Sequence, residues 1–327
     1  MKSFLKLVRW QNLLIIILTM CLMRYAVLQS VLSRMIAQLY ANGGKETLMS
    51  LKMTDLDFII LVLATVLIAA GGYVINDYFD VKTDLINRGE VIVGTAIPRK
   101  QAMMWHNILN VAGVAAGFYV SWSAGYLWMG FLFLIVSGLL YFYSASYKRQ
   151  FLIGNVIVAV LTAMVPLLVV VYEDAHLFRY YAINAVKIPD IKLTFWWVGG
   201  FSVFAFITTL IRELIKDIED YEGDVAYGRN TVPIVIGIMT SKIVTVCLII
   251  VTLGMLGGVW FYSLRDYITL AYMLLAIVLP LLFVIYQVIV STSRKQLHSA
   301  SRLMKIIMLN GIMYSVLVKI MVTYNLV

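Results

Sequence analysis

Long apolar runs repeat along almost the whole chain, and they restrict the fold more than any other feature of the sequence. Each run has about the 20 residues that a helix needs to cross a bilayer, and short polar breaks separate the runs. With 62% hydrophobic and 13% charged residues, the chain is too apolar for a soluble domain, in which about a quarter of residues are charged. The sequence therefore predicts an all-α, polytopic membrane protein.

Nine runs are predicted to form transmembrane helices. They lie at about residues 10–32, 55–75, 103–122, 125–146, 152–172, 195–215, 241–262, 267–290 and 303–325. The polar stretch from Glu173 to Lys192 is expected to be a loop or a short interfacial helix. Nothing in the sequence resembles a second, soluble domain, so residues 1–327 are predicted to form a single transmembrane domain.

Lys and Arg residues are distributed unevenly over the predicted loops. The side that holds the N-terminus and the loops after the even-numbered helices carries 17 of the 26 cations, and the other side carries 9. Because cytoplasmic loops carry the excess of cations in membrane proteins, this count predicts a cytoplasmic N-terminus in an inner or plasma membrane. The same bias explains the net charge of +9, so a nucleic-acid partner is not expected.

Acidic residues concentrate at the cytoplasmic ends of the predicted second and sixth helices. Residues 77–90 and 213–224 together hold ten of the 17 Asp and Glu residues. A carboxylate close to the membrane is costly unless it is paired or binds a metal. The two stretches therefore predict a cation site on the cytoplasmic side.

The spacing within each stretch places several oxygen atoms on one helix face. In the first stretch, Asn76, Asp80 and Asp84 lie four residues apart, and Asp77 adjoins the first of them. The second stretch follows the i, i+4, i+7, i+11 pattern of a single helical stripe, with Glu213, Asp217, Asp220 and Asp224. Magnesium usually combines one or two carboxylates with waters and substrate phosphates, so two such stripes are suited to hold it on a diphosphate. The alternative is a pair of solvated helix ends with salt bridges such as Lys216 with Asp220.

Other residue types on the same predicted side divide into candidates and ordinary interface residues. Arg and Lys side chains clamp phosphate oxygens well, and the candidates are Arg9, Lys148, Arg149, Arg212 and Lys216. Anchoring at the membrane surface is the preferred interpretation of Arg99, Lys100, Arg294 and Lys295. Nearby aromatic rings, Tyr143 among them, can stabilise a carbocation, although most are expected to belong to the interfacial belt. His106, His176, His298, Cys21 and Cys247 form no ligand or disulfide pattern and are given no role.

These motifs resemble those of the UbiA superfamily of intramembrane prenyltransferases. The family carries Asn-Asp-x-x-Asp-x-x-x-Asp after helix two and an Asp-rich motif after helix six, which here are residues 76–84 and 217–224. The resemblance implies nine helices around a central cavity and two Mg2+ ions, whose ligands come from Asn76, Asp77, Asp80, Asp84, Asp217, Asp220 and Asp224. It further implies contacts to the diphosphate of a polyprenyl donor from Arg9, Arg88, Lys148, Arg212 and Lys216. The catalytic residues would be Asp80, Asp84, Asp217 and Tyr143.

The implied reaction is metal-assisted loss of diphosphate from an allylic prenyl chain, followed by capture of the allylic cation by a lipophilic acceptor. The second motif looks most similar to that of the digeranylgeranylglyceryl phosphate synthase branch, which favours a geranylgeranyl donor and an isoprenylglyceryl phosphate acceptor. An aromatic acceptor, as in quinone or chlorophyll synthesis, stays open. A transporter or cation channel is a further alternative, because acidic residues in spanning segments also mark ion pathways. One departure from the family is Asn87-Arg88-Gly89-Glu90, where many relatives have Asn-Arg-Pro.

Overall fold

The computed structural model describes residues 2–41, 50–88, 91–184 and 192–324, without the side chains of residues 36–41 and 86–88. In these ranges the chain forms 14 α-helices, joined in places by short π-helical or 3-10 turns. The helices are α1 Lys2–Leu7, α2 Trp10–Leu22, α3 Gln29–Ala41, α4 Asp55–Arg88, α5 Arg99–Ala124, α6 Gly130–Ala145, α7 Ile153–Ile183, α8 Lys192–Glu219, α9 Tyr221–Ala226, α10 Val232–Ile236, α11 Ile238–Val259, α12 Tyr267–Met273, α13 Leu279–Val290 and α14 Arg294–Thr323.

Several consecutive helices form continuous membrane-spanning segments. A π-helical turn at Met23–Leu28 joins α2 to α3, and another at Leu274–Val278 joins α12 to α13. Within the described residues, eight helical segments are long and apolar enough to cross a membrane. The predicted all-α, polytopic fold is confirmed, and the chain is an integral, multi-pass membrane protein.

The predicted run at residues 103–122 is helical, but its hydropathy is lower than that of the eight described segments that are apolar enough to cross a membrane. It lies in α5, whose 26 residues span about 39 Å at 1.5 Å per residue. Polar side chains interrupt the run, and they bond to neighbouring helices: His106 Nδ1 lies 3.0 Å from Gly71 O, and Ser137 donates a 2.6 Å hydrogen bond to Asn110 Oδ1. Packing against α4 and α6 thus compensates the lower hydropathy of this helix.

The expectation of a loop or short interfacial helix after residue 172 is wrong for its first half. Helix α7 continues to Ile183, and Glu173 inside it is fully buried. Arg24 Nε lies 3.6 Å from Glu173 Oε2, and the backbone N–H of Met53 donates to Glu173 Oε1 at 3.0 Å. A charged residue that looks like a loop residue in the sequence is therefore a paired residue inside a helix. Residues 185–191 of the predicted loop lie outside the described residues.

The chain divides into two compact units, and each unit contains one acidic motif. Unit 1 comprises Met1–Ala145, Met164–Gly200 and Ser315–Leu326, and it holds the first motif on α4. Unit 2 comprises Ser146–Ala163 and Phe201–Tyr314, with Val327, and it holds the second motif on α8 and α9. The single domain over residues 1–327 stays a prediction.

Close helix packing in unit 1 depends on two adjacent glycines, Gly71 and Gly72, one turn before the first motif. A Cβ at residue 71 would lie 2.3 Å from Asn110 Nδ2 of α5, and a Cβ at residue 72 would lie 3.0 Å from Leu140 Cδ1 of α6. Small residues let membrane helices approach in this way, so the glycines fix the position of α4 against both neighbours.

The core of unit 2 packs α8 against α11, α13 and α14. Ile211, Ile215 and Ile218 form one buried stripe of α8, because they recur at spacings of four and three residues. This stripe belongs to the same apolar cluster as Leu297 and Met304 of α14. The packing holds the end of α8, where the second motif begins.

Candidate functional site

The first motif lies on the last three turns of α4. The spacing of four residues places Asn76, Asp80 and Asp84 along one face of the helix, about 6 Å apart along its axis. Asp80 is buried, with 8% of its surface exposed, whereas Asn76 and Asp84 are half-buried. The predicted oxygen ladder is present on α4, and all three residues have contacts within the protein.

Asp77 lies off this face and forms an ion pair with Arg9, whose Nη2 is 2.8 Å from Asp77 Oδ1. Arg9 separates α1 from α2 in the left-handed conformation (φ 51°), which is costly for a residue with a side chain, and its guanidinium also lies over the Tyr73 ring. Burial lowers the pKa of Arg9, but Asp77 outweighs burial, with smaller contributions from Tyr73 and Asp84, and the net shift is upward. Arg9 is therefore a fixed cation beside the first motif, as its predicted contact with a diphosphate requires.

Aromatic rings surround the same end of α4. The Tyr78 ring lies 4.3 Å from the Arg99 guanidinium in a cation–π contact. Phe79 packs edge-on against Tyr141 of α6 at 5.9 Å between ring centroids. The candidate catalytic residue Tyr143 is half-buried on α6. Helix α4 ends at Arg88, whose side chain, like all of Gly89 and Glu90, lies outside the described residues.

The second motif does not form the single continuous stripe that its spacing predicts. Helix α8 ends at Glu219, Asp220 has the non-helical conformation φ −94°, ψ 10°, and α9 begins at Tyr221. Asp217 therefore belongs to α8, Asp220 to the break, and Asp224 to α9. Helical periodicity cannot reveal such a break, because the residues on both sides of it are helical.

Asp217 is held by a residue that sequence reasoning did not assign. Asn155, near the start of α7, donates a 2.8 Å hydrogen bond from Nδ2 to Asp217 Oδ2. The bond fixes one carboxylate oxygen and leaves Oδ1 available to a cation. Asn155 follows Gly154 in the sequence, and nothing there connects it to a residue 62 positions away.

Lys216 and Arg212 pair with Glu213. Lys216 Nζ lies 3.0 Å from Glu213 Oε2, and Arg212 Nη1 lies 2.6 Å from Glu213 Oε1. Lys216 therefore pairs with Glu213 and not with Asp220, the partner that the sequence spacing suggested. Because each of its carboxylate oxygens bonds to a cation, Glu213 is better suited to be the counter-ion of Arg212 and Lys216 than to bind a metal. The Nε of Arg212 is buried and has no hydrogen-bond partner in unit 2, so this guanidinium keeps a donor for a ligand.

The residues around α9 tie the second motif to the basic turn Tyr147–Arg149, which holds Lys148. Asp224 is buried and lies 3.1 Å from Arg229 Nη1, and Asn230 N–H donates to Arg149 O at 2.9 Å. Lys148 is half-buried. A Cβ at residue 154 would lie 2.7 Å from Lys148 Cα, so only glycine allows α7 to begin this close to the turn. Lys148 is therefore held within the same unit as Asp217 and Asp224.

Two further residues contact the second motif from the start of α14. Arg294 Nη2 lies 3.1 Å from Asp220 Oδ1, and His298 Nδ1 lies 2.7 Å from Glu219 Oε1. The sequence-based interpretation treated Arg294 as a membrane anchor and gave His298 no role, and both interpretations miss these contacts. Their i, i+4 spacing was visible in the sequence, but their partners were not.

The donor set fits a magnesium ion that shares its coordination with a ligand. All candidate ligands are hard oxygen donors, which Mg2+ prefers. In the described part of the chain, no three His, Cys, Asp or Glu residues converge into a complete metal cage. Magnesium needs no such cage when substrate phosphates and waters complete its octahedron, and within each unit the acidic motif can supply one or two carboxylates.

Comparison with known proteins assigns the chain to a family. The fold and composition define a multi-pass membrane protein, and a model of the UbiA prenyltransferase family matches residues 30–309. The chain is 30% identical over 272 residues to the digeranylgeranylglyceryl phosphate synthase of Thermococcus kodakarensis, covering 83% of this chain and 86% of that protein. The chain belongs to the UbiA prenyltransferase family, as its motifs predicted, and it is a membrane prenyltransferase rather than a channel or transporter.

Solved structures show the same fold. A UbiA homologue from Aeropyrum pernix superposes with a TM-score of 0.64 at 15% identity, covering 92% of this chain and 98% of that one. A UbiA homologue from Archaeoglobus fulgidus bound to GPP and Mg2+ superposes with a TM-score of 0.52 at 15% identity, covering 94% and 98%. At these identities the likeness supports the architecture alone.

Proposed function

We propose that this prenyltransferase moves a polyprenyl group, such as geranylgeranyl, from its diphosphate to the hydroxyl of an isoprenylglyceryl phosphate. The observation that carries the proposal is the 30% identity over 83% of the chain to a digeranylgeranylglyceryl phosphate synthase. Both acidic motifs of the expected kind lie within the region that the family model matches. The donor and the lipid acceptor are both amphiphiles that a membrane protein can take from the bilayer.

Two Mg2+ ions are proposed as cofactors, with ligands from Asn76, Asp80 and Asp84 in unit 1 and from Asp217, Asp220 and Asp224 in unit 2. Bound magnesium supplies positive charge to the diphosphate leaving group. Asp77, which the resemblance places among the metal ligands, is proposed here as the counter-ion of Arg9, because the two side chains pair at 2.8 Å. Asp217 keeps its proposed ligand role, and Asn155 orients its carboxylate. A carboxylate so close to the membrane is costly when it has no partner, and a bound divalent cation offsets its charge.

Basic residues are proposed to bind the diphosphate itself. Arg9 and Arg88 belong to unit 1, and Lys148, Arg212 and Lys216 belong to unit 2. In the reaction the allylic C–O bond breaks and the diphosphate leaves with the electron pair. The acceptor hydroxyl oxygen then forms the new C–O bond and gives its proton to water. Tyr143 offers an aromatic face to the allylic cation, and its half-buried position on α6 permits this.

The proposed orientation places the N-terminus and both acidic motifs on the cytoplasmic side, as the distribution of 17 and 9 cations favours. Residues 1–327 are proposed to act as one domain, because the family match of residues 30–309 includes parts of both units.

The purified protein in detergent, supplied with Mg2+ and radiolabelled geranylgeranyl diphosphate, tests the proposal. A geranylgeranylglyceryl phosphate, an aromatic quinone precursor and a tetrapyrrole are offered in parallel as acceptors. We expect label to enter the glyceryl phosphate product and to stay out when EDTA replaces Mg2+. Transfer to the aromatic acceptor alone would reassign the substrate, and transfer to none of them would refute the proposal.

A further inference from the structure

The start of α14 contacts the end of α8 through an ion pair from Arg294 and a hydrogen bond between His298 and Glu219, and the proposed function uses neither contact. Arg294 and His298 are one helical turn apart, so they lie on one face of α14. Their partners, Asp220 and Glu219, are consecutive residues at the helix break. One helix face thus holds both carboxylates at the point where the second motif changes direction.

The backbone on both sides of these pairs is fixed by apolar packing. Ile215 and Ile218 of α8 belong to the same buried cluster as Leu297 and Ala300 of α14. The two polar contacts lie next to this cluster in sequence and extend the α8–α14 interface to the break. Glu219 is 11% exposed and Asp220 is 26% exposed, so water solvates Glu219 little and Asp220 only in part.

We propose that Arg294 is a positioning residue for Asp220, with His298 supporting it through Glu219. The inference rests on the proposed function, in which Asp220 is a metal ligand. At a helix break the helical backbone no longer sets the direction of the Cα–Cβ bond, so a partner from another helix can determine where the carboxylate lies. Arg294 holds Oδ1 of Asp220 and leaves Oδ2 for a cation. Partners of this kind typically contribute 10- to 100-fold to metal affinity.

An opposing electrostatic effect has to be separated from positioning. The Arg294 guanidinium carries a positive charge that repels a divalent cation, so its removal alone would strengthen metal binding. Lys295 provides the matched control, because it carries the same charge one residue later. Lys295 is exposed, and among the described residues no ion pair joins it to the acidic motif.

The experiment compares Arg294→Gln, Arg294→Lys and Lys295→Gln with the unchanged protein. For each, the Mg2+ concentration that gives half-maximal transfer is measured, together with KM for the prenyl diphosphate at saturating Mg2+. Mn2+ binding is measured separately by electron paramagnetic resonance in the absence of substrate. We expect Arg294→Gln to raise the half-maximal Mg2+ concentration and the Mn2+ Kd by about tenfold or more. Arg294→Lys should recover part of the loss, and Lys295→Gln should match the unchanged protein.

Unaltered or tighter Mn2+ binding in Arg294→Gln would overturn the inference, since it would show that Arg294 only opposes the metal. An equal weakening in Lys295→Gln would overturn it as well, because the effect would then be one of net charge. Size-exclusion chromatography in detergent checks that each variant is folded. If Arg294→Gln does not fold, Arg294→Lys still tests the inference. If the unchanged protein transfers no prenyl group but binds Mn2+ through Arg294-dependent positioning, the proposed function fails and the positioning role stands.

Discussion

At the scale of single residues, each Asp of the second motif is bonded to a specific partner in unit 2. Asn155 holds Asp217, Arg294 holds Asp220, and Arg229 holds Asp224. An unpaired carboxylate away from water is expensive, so these partners stabilise the motif before any cation binds. A metal ion therefore enters a site whose carboxylate side chains are already oriented by their partners.

Asp80 and Asp217 are predicted to be indispensable for turnover. Replacing either by Ala removes a carboxylate that holds positive charge at the diphosphate, so Asp80→Ala and Asp217→Ala should each lower kcat by at least about 100-fold. Glu222→Gln is the matched control, because Glu222 is exposed on α9 and lies outside the proposed ligand set. Transfer rates in detergent check this, with elution volume as the test of folding. Near-normal activity in either Ala variant would contradict the proposed metal role.

Asn155 is predicted to act through Asp217. Asn155→Ala loses the hydrogen bond to Asp217 Oδ2, and Asn155→Asp places a second carboxylate 2.8 Å from it. We expect the Ala variant to weaken metal binding by about tenfold, and the Asp variant to lower activity further at low Mg2+ because like charges repel. Gln150→Ala, at an exposed position, should behave as the unchanged protein. The Mg2+ dependence of the transfer rate measures both effects, and equal behaviour of all three variants would exclude an orienting role.

At the scale of helices, the sequence predicts which residues share a face but not where the helix breaks. The ladder Asn76, Asp80 and Asp84 is correct because α4 is continuous through it. The stripe through Asp217, Asp220 and Asp224 is not, because α8 ends at Glu219. The partners that hold this break come from α7 and α14, and contacts between distant segments leave no mark on local periodicity.

The two glycines of α4 give a prediction at the same scale. A methyl group at residue 71 would collide with Asn110, which cannot move aside cheaply because Ser137 bonds to it. Gly71→Ala should therefore destabilise the protein by about 1–3 kcal/mol. Gly138→Ala on α6 is the control, since a Cβ there meets nothing within 4 Å and alanine favours a helix. The apparent midpoints of thermal unfolding in detergent compare the two, and an equal effect of both substitutions would disprove close packing at Gly71.

At the scale of the whole molecule, hydropathy predicts where the helices lie but not which neighbours bury their polar side chains. Eight of the nine predicted runs lie in helices of membrane-spanning character, and the other lies in α5. His106 and Asn110 lower the hydropathy of α5, yet both are buried and bonded to helices that the sequence does not identify. The same limit applies to Glu173, which is polar in the sequence and fully buried in the structure. Polar residues in a membrane protein are interpretable only when their partners are known.

The membrane orientation is a prediction for the whole chain, and the segment Tyr267–Val290 of unit 2 allows a sharp test of it. The distribution of 17 and 9 cations places the connection after Val290 in the cytoplasm and the one before Tyr267 outside. After replacement of Cys21 and Cys247, Tyr267→Cys and Thr292→Cys provide single thiols at two exposed positions. A membrane-impermeant maleimide applied to intact cells should label position 267 and spare position 292, and permeabilised cells should label both. Because the two thiols flank one spanning segment, the reverse pattern would invert the orientation, and with it the side from which the acidic motifs receive diphosphate and Mg2+.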